Sequence, residues 1–227
     1  MIMETDRKWI IVRIDGKIAS ISTDYRQLAA ITAKLALSTS ADTKAYKGIA
    51  AATQKICADT VSFEEVWNLR QTARWDDLML FGTDFQKRVW KKLWELTHPG
   101  EAKAEAPGQA GTEIPGQAGN DGGYSAELVS YTAFAELCEN KAGVRAVAHA
   151  IGLNPVAVVI PCHLVVPKET IDRIHEIQKK AESTIFKGDD LCISSLLREK
   201  GIDFGEYALG RKIKRKLIQL EHSTGEL

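Results

Sequence analysis

Cys162 and His163 stand side by side in Ile160-Pro161-Cys162-His163. A thiol next to an imidazole is the pair that a sulfur nucleophile needs, because the attacking species is the thiolate and a base must take its proton. Adjacency sets a condition on the backbone. Neighbouring side chains on an extended strand point to opposite faces, so the two groups can cooperate only if the chain turns sharply after Pro161. By residue type alone, a cysteine is most often a small buried hydrophobe. Cys57, Cys138, Cys162 and Cys192 lie far apart with no C-x-x-C pair. That is neither a zinc-ribbon spacing nor a disulfide scaffold, so free thiols, a reducing cytoplasmic setting and no bound metal are expected.

The elements that must hold this pair follow from pattern. Val156-Ala157-Val158-Val159-Ile160 is a continuous apolar run that predicts a buried strand leading to Cys162, entered through the turn signal Asn154-Pro155. Before it lie two helical patterns, Tyr131 to Cys138 and Ala142 to Gly152, joined by Glu139-Asn140-Lys141. This is helix-turn-helix spacing, and also that of an ordinary helical hairpin. Gly143, Ala146, Ala148 and Ala150 make the second helix small enough for close approach to a partner, with Arg145 as its strong cation. Near the start, two alternating runs flank Asp15-Gly16, which predicts a two-residue hairpin. A helix is expected over Gln27 to Leu37. Ser62-Phe63-Glu64-Glu65 is a capping box for another, and Asp84 to Trp94 reads as an amphipathic third. From Tyr207 to Glu221 a basic amphipathic helix is expected.

The chain has 227 residues, 30 Lys+Arg against 30 Asp+Glu, and a hydrophobic fraction of 44%. Zero net charge argues against a generic nucleic-acid binder, yet phosphate recognition needs only a local basic patch. No stretch approaches a membrane span, and Met1 to Trp9 does not read as a signal peptide. His98 to Ser125 is rich in Gly, Pro, Ala and Gln and repeats Pro-Gly-Gln-Ala-Gly. It reads as a low-complexity linker with too few large apolar residues to offset ordering. Pro167 to Asp203 carries two helical patterns split by Lys187-Gly188-Asp189-Asp190, the last stopping at Gly201.

Taken in order, Gly82-Thr83-Asp84-Phe85-Gln86, Val89-Trp90, Val129-Ser130-Tyr131, Val144-Arg145-Ala146-Val147, Asn154-Pro155, Ile160-Pro161-Cys162-His163, Tyr207-Ala208, Gly210, Lys214, Leu217-Ile218 and Glu221 resemble the O6-alkylguanine-DNA alkyltransferases. The resemblance covers about eighty residues, and residues 1–80 match only in general plan. It implies an α+β protein: an N-terminal ribonuclease H-like α/β domain with an antiparallel hairpin over 1–80, then a winged helix-turn-helix-type alkyltransferase domain over 81–227. The second would carry insertions at 98–126 (the linker) and 167–203 (helical).

What the resemblance implies for function is a base-flipping DNA repair protein that moves an alkyl group from O6 of guanine to Cys162, once per molecule, without a cofactor. O4-alkylthymine is a second candidate substrate. His163 would be the base, working through a water. Glu221 would orient its ring, Tyr131 would donate to the leaving guanine, Lys214 would support that region, and Asn154 would brace the turn. The helix Ala142 to Gly152 would enter the minor groove with Arg145 in the space of the flipped base and Gly143 and Ala146 close to the backbone; Tyr131 would also meet DNA. The expected partner is double-stranded DNA containing alkylated guanine, with no membrane, and the protein is expected to act as a monomer.

Four departures stand out, the mildest being Ala148 where the family has Gly. Leu164 occupies the family's Arg position, so its hydrogen bonds are expected to be missing. Leu209 replaces a glycine beside the substrate pocket and would narrow it. The 167–203 stretch replaces a short loop and is expected to cover the pocket's neighbourhood. A non-catalytic lesion-binding module is the alternative function, and a transcription regulator is disfavoured by the single base-reading cation.

Overall fold

The computed structural model describes residues 8–26, 29, 55–98, 127–184 and 202–222, with side chains of the helix 168–184 described as far as 179. The helix expected over Gln27 to Leu37, the linker beyond His98, the helical pattern ending at Gly201, and Cys192 lie outside the described residues.

The opening hairpin forms as its turn dipeptide requires. β1 (Trp9–Ile14) and β2 (Lys17–Ser22) pair antiparallel, and Asp15 and Gly16 both adopt positive φ, 49° and 83°, the combination of a type I′ turn. β3 (Ile56–Val61), which was not expected from pattern, pairs antiparallel with β1 to give the order β2-β1-β3. Its polar face explains the omission: Ala58, Asp59 and Thr60 are exposed and leave no apolar alternation to read. One face of the sheet, with Trp9, Ile11, Ile18 and Ile21, joins the main core, and the other, with Ile10, Val12, Ile14 and Ala19, packs on Phe81.

Two capped helices follow. In α1 (Phe63–Thr72) the Ser62 hydroxyl accepts from the Glu65 amide at 3.2 Å while Glu65 Oε2 accepts from the Ser62 amide at 2.8 Å, so two otherwise orphaned donors are satisfied. α2 (Asp84–Glu95) repeats the device with Thr83 and Gln86. Val89, Trp90, Leu93 and Trp94 form its buried stripe. A Cβ on Gly82 would sit 2.6 Å from the Trp90 ring, so glycine is what lets the chain cross the indole. The Trp90 indole in turn donates to the Ala150 carbonyl at 2.8 Å. That bond ties α2 to the helix carrying Arg145.

α3 (Tyr131–Leu137) is capped by Ser130, whose hydroxyl accepts from the Ala133 amide at 3.1 Å. A 3-10 turn, Lys141–Gly143, leads into α4 (Val144–Gly152). The run from Val156 to Ile160 is buried as expected, but it is not a strand. Val158 has φ 74°, and the Ile160 amide donates to the Val156 carbonyl at 3.0 Å. A buried apolar run does not distinguish strand from irregular core. What decides here is Asn154, whose side chain bonds the backbone at both ends of the run, at the Val156 amide and the Ile160 carbonyl. A left-handed φ in a β-branched residue is costly and persists only where surroundings over-determine it.

Beyond the Cys162–Leu164 3-10 turn, β5 (Val165–Val166) pairs parallel with β4 (Val129–Ser130), Val129 opposite Val165. Of the expected 167–203 insertion, α5 (Lys168–Thr184) is described. It packs Ile171, Ile174 and Ile177 with Ile202, Phe204, Val166 and Ile218 in a separate apolar cluster. α6 (Arg211–Glu221) starts after Gly210, at φ 100°, and buries Lys214, Leu217 and Ile218.

Candidate active site

Cys162 opens a 3-10 turn, so the sharp bend demanded by adjacency is present immediately after Pro161. Its Sγ is buried and receives the Asn154 Nδ2 hydrogen at 3.1 Å; Asn154 Nδ2 also donates to the Ile160 carbonyl at 3.0 Å, and its Oδ1 accepts from the Val156 amide at 3.0 Å. These three contacts leave the amide one orientation. On its other side the thiol donates to the Tyr207 hydroxyl at 3.8 Å. Burial pushes the Cys162 thiol up, and the bonds from Asn154 and Tyr207 and the Lys214 charge work against that rise.

His163 is fully buried. Its Nε2 lies 2.9 Å from Glu221 Oε1, and its Nδ1 has no hydrogen-bond partner. Burial raises the Glu221 carboxyl, but the His163 bond and the Arg70 charge outweigh it and hold the carboxyl below its usual range. An anionic Glu221 requires a donor at Nε2, which assigns the Nε2–H tautomer and leaves the lone pair on Nδ1. Burial first, then the Arg70 and Lys214 charges, lower the His163 value against the upward pull of Glu221. The ring is therefore neutral near pH 7 and competent to accept a proton.

Lys214 is not on an exposed face of α6. It is 1% exposed, and its Nζ donates to the Val165 carbonyl at 2.7 Å and the Glu206 carbonyl at 3.4 Å, 5.8 Å from the centre of the Tyr131 ring. Burial lowers its ammonium to about 8, with Cys162, Asp203 and Glu206 opposing. A base depressed on folding makes the unfolded chain bind the extra proton between about 8 and the ordinary value of 10.5, so its contribution to stability rises with pH across that window. The expected result is that wild type gains stability relative to Lys214→Met between those limits. Denaturant unfolding of the pair at several pH values checks it, and a pH-independent difference would contradict it.

The structure thus brings together Cys162, His163, Glu221, Asn154, Tyr131 and Lys214. Arg145 and Ala146 are exposed on α4, and Gly143 is half-buried at its start; none of the three touches the thiol. Leu164 is fully buried. Two site residues were not assigned from sequence. Tyr207 brings its hydroxyl to the sulfur, and burial pushes that hydroxyl well up. Arg70 on α1 donates to Glu221 Oε1 at 3.2 Å. The available signal was its position: Arg70 follows Val66 and Trp67 by one helical turn, so a cation occupies the buried stripe.

Comparison with known proteins finds similarity over part of the chain. Residues 125–182 match the model of the 6-O-methylguanine DNA methyltransferase DNA-binding domain. That span of the chain is similar to the DNA-binding domain of this alkyltransferase family. The matched span contains Tyr131, Arg145, Asn154, Cys162 and His163, whereas Arg70, Tyr207, Lys214 and Glu221 lie outside it. A probable methylated-DNA-protein-cysteine methyltransferase of Acanthamoeba polyphaga mimivirus is 35% identical over 92 residues, 40% of this chain and 44% of that protein. The methylated-DNA-protein-cysteine methyltransferase of Mycobacterium bovis is 35% identical over 91 residues, 40% and 38%. The chain thus spans less than half the length of these alkyltransferase relatives. Solved structures with similarity include the O6-methylguanine-DNA methyltransferase of Pyrococcus kodakaraensis, at 18% identity over 96% of this chain and 94% of that one with a TM-score of 0.47. Another is the Mycobacterium tuberculosis protein in complex with DNA, at 22% identity over 70% and 63% with a TM-score of 0.39. Among the described residues no group of His, Cys, Asp and Glu could hold a metal ion, and no helix is long and apolar enough to cross a membrane.

Proposed function

We propose that the chain repairs alkylated DNA by moving the alkyl group from O6 of guanine to Cys162, in a single turnover per molecule. The observation that carries this reading is the buried thiol held between Asn154 and Tyr207, next to an imidazole whose free nitrogen is set by Glu221. The Cys162 proton passes through a water to His163 Nδ1. The thiolate attacks the alkyl carbon, an S–C bond forms and the C–O6 bond breaks with its electron pair leaving on guanine. Tyr131 donates to the leaving base, and Lys214 beside its ring favours the tyrosinate that results. The thioether gives water no leaving group of comparable quality, so the chain is consumed.

The buried thiol reaches a base only if the base leaves the stack, and α4, with exposed Arg145 and Ala146, is the element proposed to enter the minor groove. The finer fold follows the same reading. Residues 1–80 are taken as a ribonuclease H-like α/β domain and 81–227 as a winged helix-turn-helix-type alkyltransferase domain with insertions at 98–126 and 167–203, acting as a monomer in the cytoplasm.

The test is an intact mass after incubation with a duplex carrying O6-methylguanine. A gain of one methylene unit on the peptide containing Cys162 is expected. Binding without any mass gain would reject transfer and leave lesion recognition alone.

A further inference from the structure

We infer that Arg70, which reaches the site from α1, is a positioning residue for alkyl transfer: its guanidinium pins the Glu221 carboxylate that fixes the His163 ring. The inference rests on the alkyl-transfer reading. Arg70 Nε and His163 Nε2 meet the same oxygen, Glu221 Oε1, at 3.2 Å and 2.9 Å. The Arg70 and Glu221 side chains are 6% and 10% exposed. A carboxylate held by one imidazole keeps a rotational freedom that a second donor on the same oxygen removes. A guanidinium in the buried stripe of α1 is costly to desolvate, and an apolar residue would fill that stripe without the cost. Its pairing with Glu221 is the compensation visible in the structure, and it spans 151 positions of sequence.

The charge matters as much as the geometry. Glu221 alone beside His163 would favour the imidazolium, whose proton would occupy Nδ1 and disable it as a base. A cation on the same carboxylate offsets that pull. The groups facing His163 are Cys162 before it, Tyr207 edge-on at 6.4 Å between ring centres, Lys214, Glu221 and His222 from α6 and its end, and Arg70 from α1. Of these Glu221 alone carries a negative charge near neutrality, so Arg70 decides how strongly that charge acts on the ring. Residues outside the matched DNA-binding span therefore tune the base.

The experiment compares the full chain with Arg70→Gln and Arg70→Lys in single-turnover methyl transfer across the acid and neutral range. A lost neighbouring charge moves a titrating group by about one unit, so Arg70→Gln is expected to raise the acid limb by that amount and slow transfer about tenfold on the limb. Arg70→Lys keeps the charge and is expected to keep the limb. Ring-nitrogen NMR of His163 in the DNA-free chain reads the same shift without relying on transfer. If wild type transfers no methyl group the alkyl-transfer reading has failed, whereas a wild-type limb and His163 titration unchanged in a folded Arg70→Gln overturn the inference itself. Should Arg70→Gln not fold, the lysine variant decides: a limb that moves although the charge is kept overturns it, and one that stays while the rate falls less than tenfold supports it.

Discussion

Cys162→Ser is expected to transfer no methyl group while binding methylated-guanine duplex as wild type does. The pocket explains why oxygen cannot stand in for sulfur. Burial already pushes the thiol up, and the compensations within reach are the Asn154 and Tyr207 hydrogen bonds and the Lys214 charge. A serine hydroxyl starts far higher and is a much weaker nucleophile without a strong adjacent base. His163 is neutral and can take a thiol proton, but an alkoxide is beyond it. Mass spectrometry of the variant after incubation, with a gel-shift titration alongside, reads both halves. A methylene gain on the serine variant would move the nucleophile elsewhere.

Glu221→Leu is expected to have the second largest effect, on stability and rate together. It leaves the Arg70 guanidinium buried without its carboxylate, and breaking a buried pair from one side costs about 3–5 kcal/mol. For a chain of this size that lowers Tm by roughly 10 °C. It also frees the His163 ring to take either tautomer, and losing a correctly presented base costs about 10²–10⁴ in rate. The two effects separate in the double variant Arg70→Leu, Glu221→Leu, which leaves no buried charge at that contact. Much of the stability is expected back, and none of the rate. Thermal unfolding and single-turnover transfer measure each; a double variant that regains transfer would deny Glu221 its role. In wild type, Glu221 is held below its usual range. Its contribution is therefore complete above the unfolded carboxylate value and is lost as the pH falls through the folded one.

Local chemistry was legible where one element decides its own shape. Asp15-Gly16 made its turn and Ser62 with Glu65 its capping box, because backbone preference and side-chain reach settle both within four residues. The Cys162 and His163 pair was legible as residue types, and its condition of a bend after Pro161 could be stated before any fold. What could not be read is what arrives from elsewhere. Val156 to Ile160 has the composition of a strand, and its true path is set by the Asn154 side chain. β3 shows one apolar contact face too weakly to be recognised, and depends on β1 for its register. Arg70 carries no motif. Its meaning comes from Glu221, which only tertiary packing places beside it.

Asn154 has one more consequence, and it concerns time. Asparagine side chains age by attack of the following backbone nitrogen on the amide carbon, which ends in a carboxylate. Here the following residue is Pro155, whose nitrogen carries no hydrogen to lose, so that cyclisation is blocked. A carboxylate at this position would turn an acceptor toward Cys162 Sγ and the Ile160 carbonyl, where the amide now donates. It would place a negative charge against the sulfur that the proposed transfer requires to become an anion. On the proposed single-turnover reading the molecule has to wait intact for its lesion, and the residue beside Cys162 is joined to a neighbour that slows its chemical decay.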